Sequence, residues 1–521
     1  MVYSGYSVRA ACALVLCLGL VAGVASAGNT GFVSTNGAQF EVGGQPHYFT
    51  GVNFWQGMNL AADGASGDRP RLGRELDRLQ AAGVTNVRVM ASSEGPNTEP
   101  YRMVPSLQTS PGVYDADVFA GLDYLLDELD QRDMRAVMVL NNFWHWSGGM
   151  AQYVSWNENT PIPYPNDTGD WGTYQNYAKK FYTNSDCQAQ YKAHIATVVG
   201  RVNSVNGKTY ENDPTIFSWE LANEPRRYPA EWIDDTAAYI KSLDSNHMVT
   251  TGSEGLQGAE TYLSGWQERD FVPTHDGPDI DYATCHIWPQ NWGWYDPANP
   301  NSYSAAEANA IAYLQDHLED SENVLDKPLV LEEFGLARDW EPLHDIHDPD
   351  SPTTYRDQFF EAMFNEVYAS ALDGGAGAGD NIWAYGGEGR PDDPAPQWIG
   401  DPPHEEPGWY SVYDTDASTL ALMSSHAAEM NSLVPEPSSF ELTITPTASN
   451  PGNYDFEWKS QPGKRYDLVS DTGLATAPGT WSVWDSQADI ASGGTTTSLT
   501  NIPGGADPTR FFAVLEKGHR R

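Results

Sequence analysis

From about residue 46 to residue 433, short apolar runs alternate with amphipathic stretches through eight rounds, and this repetition constrains the fold more than any other feature of the chain. It predicts strand, crossover helix and parallel strand in succession. The strand candidates are His47–Trp55, Asn86–Met90, Arg135–Asn142, Thr215–Leu221, Met248–Gly252, Tyr282–Ile287, Leu329–Glu333 and Asn381–Tyr385. Several are apolar on both faces, as strands enclosed by helices must be. Between them, Asp117–Gln131 carries Phe119, Leu122, Leu125, Leu126 and Leu129 at helical spacing, and Ala305–Leu318 and Tyr355–Ala371 have similar stripes. The expected fold is α/β, a (β/α)8 barrel. Such a barrel holds its chemistry at the C-terminal strand ends. Polar residues stand there: Asn53, Arg88, Asn141, Asn142, Asn223, Glu224, His286 and Glu333, with Trp55 and Trp383. The rival is a doubly wound sheet. Gly375, Gly377 and Gly379 precede a late strand instead of following a first one, so they read as a turn and not as a dinucleotide loop.

Outside the barrel, Arg9, the apolar run Ala10–Val24 and Ala25-Ser26-Ala27 make residues 1–27 a secretory signal peptide, which implies an extracellular protein. No other apolar run approaches the length of a membrane span. Cys187 and Cys285 remain after the leader, too few for a disulfide framework. Past Leu433, residues 434–439 read as a linker, and residues 440–521 as an all-β module, a small sandwich. There Phe440, Leu442 and Ile444, then Tyr454, Phe456 and Trp458, alternate at period two. Lys plus Arg number 29 against 71 Asp plus Glu, a formal net charge of −42, which argues against a nucleic-acid partner. The 18 Trp suit a core, and some suit a ligand with flat apolar faces.

Two segments put carboxylates at strand ends, Trp219-Glu220-Leu221-Ala222-Asn223-Glu224-Pro225 on the fourth strand and Leu329-Val330-Leu331-Glu332-Glu333-Phe334-Gly335 on the seventh. An acid beside a buried strand needs a partner or a task. Structural ion pairing is one account; general acid/base or nucleophilic work on an acetal is the other, and Arg88, His286 and several Trp converging on the same rim favour it. Alternation does not choose between Glu332 and Glu333, since both faces of a barrel strand are covered. Glu220, four residues before Glu224, reads as a buried pairing residue. No CxxC or HExxH spacing accompanies His145, His344 or His347, so neither a catalytic metal nor a cofactor is expected.

Asn223-Glu224-Pro225-Arg226 and Glu333-Phe334-Gly335, taken with Gly51-Val52-Asn53-Phe54-Trp55, Asn141-Asn142-Phe143-Trp144, Ser147-Gly148-Gly149 and His286-Ile287-Trp288-Pro289-Gln290-Asn291-Trp292, resemble glycoside hydrolase family 5, in its endo-β-1,4-mannanase branch. The resemblance runs from about Phe32 to Leu433. It implies Glu224 as general acid/base, protonated near neutrality, and Glu333 as nucleophile, held ionised by Arg88. Asn223 would meet the 2-hydroxyl of the cleaved sugar, His286 would bond near the acid/base, and Trp383 would be the stacking floor. Trp55 and Arg226 would touch sugars further along. Trp288 stands where the family usually has a Tyr. The implied substrate is a mannan-type polysaccharide cut at internal β-1,4 bonds by a secreted monomer. A β-1,4-glucanase of the same family is the alternative within enzymes, and a non-catalytic glycan-binding barrel the alternative outside them.

Overall fold

The computed structural model describes residues 29, 31–255, 271–342, 344–391 and 398–434 and, further on, 442–447, 449–450, 452–459, 465–471, 482–488, 490–491, 496–503 and 511–517. The expected leader, 435–439 of the expected linker, and Phe440 lie outside the described residues.

Eight parallel strands form the centre: β1 (Phe49–Asn53), β2 (Asn86–Met90), β3 (Arg135–Val139), β4 (Ile216–Glu220), β5 (Met248–Thr250), β6 (Ala283–Ile287), β7 (Leu329–Phe334) and β8 (Gly377–Ile382). They are hydrogen-bonded in the order β5-β4-β3-β2-β1-β8-β7-β6. The seam between β5 and β6 is bridged by Asp281 N donating to Val249 O (2.8 Å) and Thr250 Oγ1 donating to Tyr282 O (2.9 Å). A helix follows each strand: α1 (Arg69–Ala81), α2 (Ala116–Asp130), α3 (Ser185–Val199), α4 (Ala230–Leu243), α5 (Phe271–His275), α6 (Tyr303–Asp320), α7 (Thr354–Leu372) and α8 (Ala417–Ser432). The result is the (β/α)8 barrel the alternation predicted.

Local chemistry explains the elements. Asp115 caps α2 by accepting from the backbone of Asp117 and Val118, and Phe119, Leu122, Leu125, Leu126 and Leu129 bury its inner stripe. Truncating Leu125 or Leu126 to Ala would cost roughly 2–5 kcal/mol, the usual penalty for an unfilled core site. The eighth strand begins earlier than expected, at Gly377 and not at Asn381. Gly377 and Gly379 are therefore strand residues, whereas Gly375 does lie in the preceding turn. The reason is packing: a Cβ on Gly379 would sit 2.5 Å from the Phe49 ring, and one on Gly51 would sit 1.9 Å from Asn381 Oδ1. Neighbouring strands approach here only because the side chains are missing.

The N-terminal mouth of the barrel is apolar. Phe40, from an antiparallel meander over Val33–Asn36, Gln39–Val42 and Gln45–His47, packs edge-on to Phe217 and Tyr282 and stacks near Phe49. With that end plugged, the polar strand ends face the opposite mouth. Beyond the barrel, Asn453–Lys459 pairs antiparallel with Thr443–Pro446 and Thr496–Pro503, and Arg465–Asp471 pairs antiparallel with Ser482–Val483, Ile490–Ala491 and Phe511–Lys517. Phe456, Trp458, Tyr466, Leu468 and Ile502 form the core between these sheets. Trp458 is thus a core residue. Cys187 and Cys285 are both buried free thiols. Among the described residues no helix is long and apolar enough to cross a membrane.

Candidate active site

Four carboxylates and two cations meet inside the open mouth. Arg88, on β2, aims its planar fork at Glu220 on β4, with Nε 2.7 Å from Oε2 and Nη2 2.5 Å from Oε1. Its remaining N–H groups donate to Asn53 Oδ1 (3.0 Å), Asn223 Oδ1 (2.9 Å) and Glu333 Oε1. All are buried. A guanidinium with five donors in fixed directions can satisfy this many acceptors at once, and an ammonium cannot. Arg88 does contact Glu333, as expected, but its bidentate partner is Glu220.

The adjacent acids Glu332 and Glu333 both point inward because β7 carries an extra residue against β6. Cys285 pairs with Leu331 and His286 with Glu333, so Glu332 is skipped in the register. Such a bulge breaks the strict in–out alternation of a strand. Glu332 then faces Nε2 of His286 at 3.4 Å, and Glu333 faces Nδ1 of the same ring at 3.3 Å. Glu224 lies past the end of β4 in a left-handed conformation (φ 46°), a backbone state that non-glycine residues adopt at a cost. Its backbone N–H donates to Gly252 O at 2.9 Å. Its carboxylate accepts from Trp144 Nε1 (2.5 Å) and His286 Nδ1 (2.8 Å). Oxygens of Glu224 and Glu333 and a nitrogen of His286 all lie within 4.8 Å of one another. Among the described residues this is the one such trio at metal-ligand spacing. A cation placed there would have to compete with the Arg88 guanidinium and the imidazole for the same oxygens.

The buried groups of this cluster shift one another's charge. Burial pulls His286 down, but Glu333, Glu224 and Glu332 outweigh it and hold the imidazole up at about 10. Burial pushes Glu224 up, yet the His286 hydrogen bond and charge, with Arg226 and Trp144, bring it to about 2. Burial lifts Glu333 to about 7 against the opposing pull of His286 and Arg88. The hydrogen bond and charge of the imidazole thus favour an ionised Glu224, and the surrounding carboxylates favour a protonated His286. The physical cause is the short bond to a buried imidazole flanked by three acids.

These groups border a cavity of about 370 Å3. Of the residues singled out from sequence, Asn223, Glu224, Arg226, Trp288, Glu333 and Trp383 line it, while Arg88 and His286 stand behind the carboxylates. Arg226 pairs with Glu254 and lies over the Trp144 ring at 4.7 Å. Trp288 packs edge-on to Trp383 (5.8 Å) and against Tyr410 (5.1 Å). Trp55 departs from the expectation: it packs behind Trp146 at 5.7 Å, its indole N–H donates to Gly400 O at 2.7 Å, and it is absent from the lining. Sequence reasoning gave no site role to Trp144, Trp146, Trp171, His404 and Glu405, which do line the cavity. Trp144 and Trp146 could have been found from their place just beyond β3. His404 and Glu405 carry no such signal.

Residues 30–434 match the family described as "GH family 5 beta-mannosidase-like". Mannan endo-1,4-beta-mannosidase 1 of Arabidopsis thaliana is 33% identical over 68% of this chain and 82% of its own length. Mannan endo-1,4-beta-mannosidase 5 of Solanum lycopersicum is 34% identical over 70% of this chain and 83% of its own. Among solved structures, the glycoside hydrolase family 5 mannosidase of Rhizomucor miehei is 41% identical, with a TM-score of 0.72 over 77% of this chain and 98% of that one. An endo-1,4-beta-mannanase from the same organism is 25% identical, with a TM-score of 0.56. Fold, strand-end carboxylates and sequence agree, and the chain is a glycoside hydrolase of family 5.

Proposed function

We propose that this chain hydrolyses β-1,4-mannosidic bonds with net retention, Glu333 acting as nucleophile and Glu224 as acid/base. The observation that carries the reading is the approach of the two carboxylates to within 4.8 Å, oxygen to oxygen. Retaining enzymes hold their two carboxyl groups about 5–5.5 Å apart, and inverting ones about 6.5–9.5 Å apart to admit a water. The resting charge pattern fits if one proton moves. Transfer from His286 Nδ1 across its 2.8 Å bond leaves a neutral imidazole and a protonated Glu224, with the total charge unchanged. Glu224 then protonates the departing glycosidic oxygen while Glu333 attacks the anomeric carbon. In the second step Glu224 takes a proton from water, which releases the sugar from Glu333. Arg88 screens the buried charge of Glu220 and Glu333 throughout. Asn223, fixed by Arg88 and Asn142, presents its amide to the sugar 2-hydroxyl. That hydroxyl is axial in mannose and equatorial in glucose.

The preference for mannan, glucomannan or galactomannan over cellulose rests on the curated relatives, whose names give mannan as substrate and endo attack as mode. A second reading, release of sugars from chain ends, is favoured by the mannosidase among the solved structures and by His404 and Glu405, from the loop after β8, in the cavity lining. Export by residues 1–27 and action as a monomer complete the proposal. In Glu333→Ala, turnover should vanish, and azide should restore some by forming a mannosyl azide of inverted configuration. Rescue of Glu332→Ala instead would reassign the nucleophile, and faster hydrolysis of carboxymethylcellulose than of mannan would overturn the substrate.

A further inference from the structure

Of the four carboxylates in the cluster, Glu224 and Glu333 carry the double displacement, and Glu220 is matched by the fork of Arg88. Glu332 is left without a task. The bulge in β7 turns it inward, and Asn53 of β1 fastens that bulge by donating from Nδ2 to Glu332 O at 2.9 Å. The side chain is wholly buried, yet its Oε1 has no hydrogen-bond partner among the described residues. Arg88 Nε lies 3.7 Å from that oxygen but is spent on Glu220 at 2.7 Å. A buried acid so sparsely matched is a cost to the fold. The side-chain group it does meet is His286, whose Nε2 stands 3.4 Å from Glu332 Oε2.

The imidazole joins this spare acid to the acid/base. Its Nδ1 is 2.8 Å from Glu224 Oε1 and 3.3 Å from Glu333 Oε2, so both catalytic acids lie at one nitrogen. At the other, among the described residues, no acceptor besides Glu332 comes within hydrogen-bond distance. The ring is wholly buried, and its own backbone N–H donates to Glu254 O at 2.9 Å, which fixes its place beside both. An imidazolium that gives up its Nδ1 proton becomes a neutral ring only by keeping the proton on Nε2. What faces Nε2 therefore decides which proton is free to leave.

We propose that Glu332 is a positioning residue for the reaction: it holds one proton on Nε2 of His286, so that the proton on Nδ1 is the one passed to Glu224. This rests on the mannoside-hydrolase reading above. The step balances: the Nδ1–H bond breaks as the O–H bond of Glu224 forms, imidazolium and carboxylate become neutral imidazole and carboxylic acid, and the total charge is unchanged. Without an acceptor at Nε2, a neutral ring would settle with its single proton on Nδ1, bonded to an ionised Glu224, and would have none to give. Glu332 is faced by His286, Cys285 and Tyr282 from β6, by Arg88 from β2 and by Glu220 from β4, with Glu333 beside it. On β8, Asp380 is engaged with His426 of α8 instead, at 2.6 Å. Burial and the charge of Glu332 push the Cys285 thiol and the Tyr282 hydroxyl up, so both stay neutral beside it. The far side of Glu224 meets Trp144 and Arg226.

The test measures kcat/KM of the full chain against pH on two aryl β-mannotriosides. One releases phenol, which departs only with a proton; the other releases dinitrophenol, which needs none. Glu332→Gln keeps the size of the side chain and loses its charge. On the phenyl substrate the alkaline limb should move down by about one pH unit, so that kcat/KM on that slope falls about ten-fold, the effect of losing one nearby opposite charge. The acid limb should move down with it, because Glu333 loses a like-charged neighbour. At the same alkaline pH the dinitrophenyl substrate should stay within about two-fold of the wild type, since it draws no proton from Glu224. Glu332→Met, which removes the acceptor as well, should move the phenyl limb at least as far. A limb unmoved in both variants, or an equal loss on both substrates, overturns the assignment, the second result reducing Glu332 to a support of the strand. A wild type that cleaves neither mannoside would instead sink the functional reading, and the assignment with it.

Discussion

The catalytic cavity has two kinds of wall. Glu224, Glu333, Arg88 and His286 stand on barrel strands or just beyond them, cross-linked by short charged hydrogen bonds, so their geometry is set by the sheet. Trp171, His404 and Glu405 stand on long connections that meet across the mouth, so theirs is set by how one loop happens to rest on another. The difference separates two tasks. The strand-borne wall can perform the same double displacement whatever the chain length, and the loop-borne wall decides which bond of a chain arrives there. Mutations should sort accordingly: changes on strands act on kcat, changes on loops act on KM and on products.

Short of removing a catalytic carboxylate, the largest effect is expected from Arg88→Lys. The substitution keeps the charge but loses the fork that joins Glu220, Glu333, Asn53 and Asn223. Breaking a buried pair of this kind costs roughly 3–5 kcal/mol, so kcat should fall about 10²–10³-fold and the melting temperature should drop as well. Steady-state kinetics beside a melting curve give both. Wild-type kinetics would show that the strand-borne cluster is no more demanding than the loops.

His286→Gln comes next and reads out through pH. In the wild type Glu333 must be ionised, and burial has raised it to about 7, so kcat/KM should fall below a pH well above that of an ordinary carboxylate. On the alkaline side activity should persist until the proton shared by His286 and Glu224 is lost, the imidazole being held at about 10. Without the imidazolium, Glu333 loses an opposing positive charge and rises further, while the acid limb follows it upward. Glu224 must then hold its own proton, and the alkaline limb moves down. The bell should narrow from both sides, with a loss of about 10²-fold at its maximum. An unshifted profile would mean that the proton resides on Glu224 throughout.

A smaller change is expected on the loop wall. Trp171 is 43% exposed at the cavity rim, edge-on to Trp144 at 5.5 Å. An aromatic contact there contributes about 0.5–1.5 kcal/mol. Trp171→Ala should therefore raise KM roughly three- to ten-fold and leave kcat in place. A loss in kcat instead would show that the two walls are coupled through Trp144.

The same division explains what could be read from the sequence. Strands buried on both faces announce themselves as apolar runs, and acids at their ends are conspicuous because a buried charge needs a reason. Asn86–Met90 was legible to the residue. Gly377–Ile382 was not, because a strand whose side chains are removed to admit Phe49 looks like a turn. The Glu332/Glu333 choice was closed to alternation for a related reason, the bulge that turns both inward. Trp55 follows a strand as a sugar platform would, but its partner Gly400 lies in a loop hundreds of residues away. Asp401-Pro402-Pro403-His404-Glu405-Glu406-Pro407 reads as a solvated, proline-rich surface turn. Only its crossing of the mouth makes a cavity wall of it, and that is a tertiary fact.

The smallest effect is expected from the C-terminal sheets. Among the described residues, those lining the catalytic cavity and those fastening the loop wall all lie before Val434. The barrel core and the core formed by Phe456, Trp458, Tyr466, Leu468 and Ile502 share no residue, so each set of elements buries its own apolar surface. A segment with its own core can be removed without opening a cavity in the other. Truncation after Leu433 should therefore leave kcat/KM on a soluble manno-oligosaccharide within about two-fold of the full chain, a change worth less than 0.5 kcal/mol. Binding to insoluble mannan, measured by sedimentation, is where the two forms can differ. If the truncated chain were inactive on the soluble substrate, the catalytic unit would extend past Leu433. The distinction between walls would then need a third contributor, supplied by the C-terminal sheets.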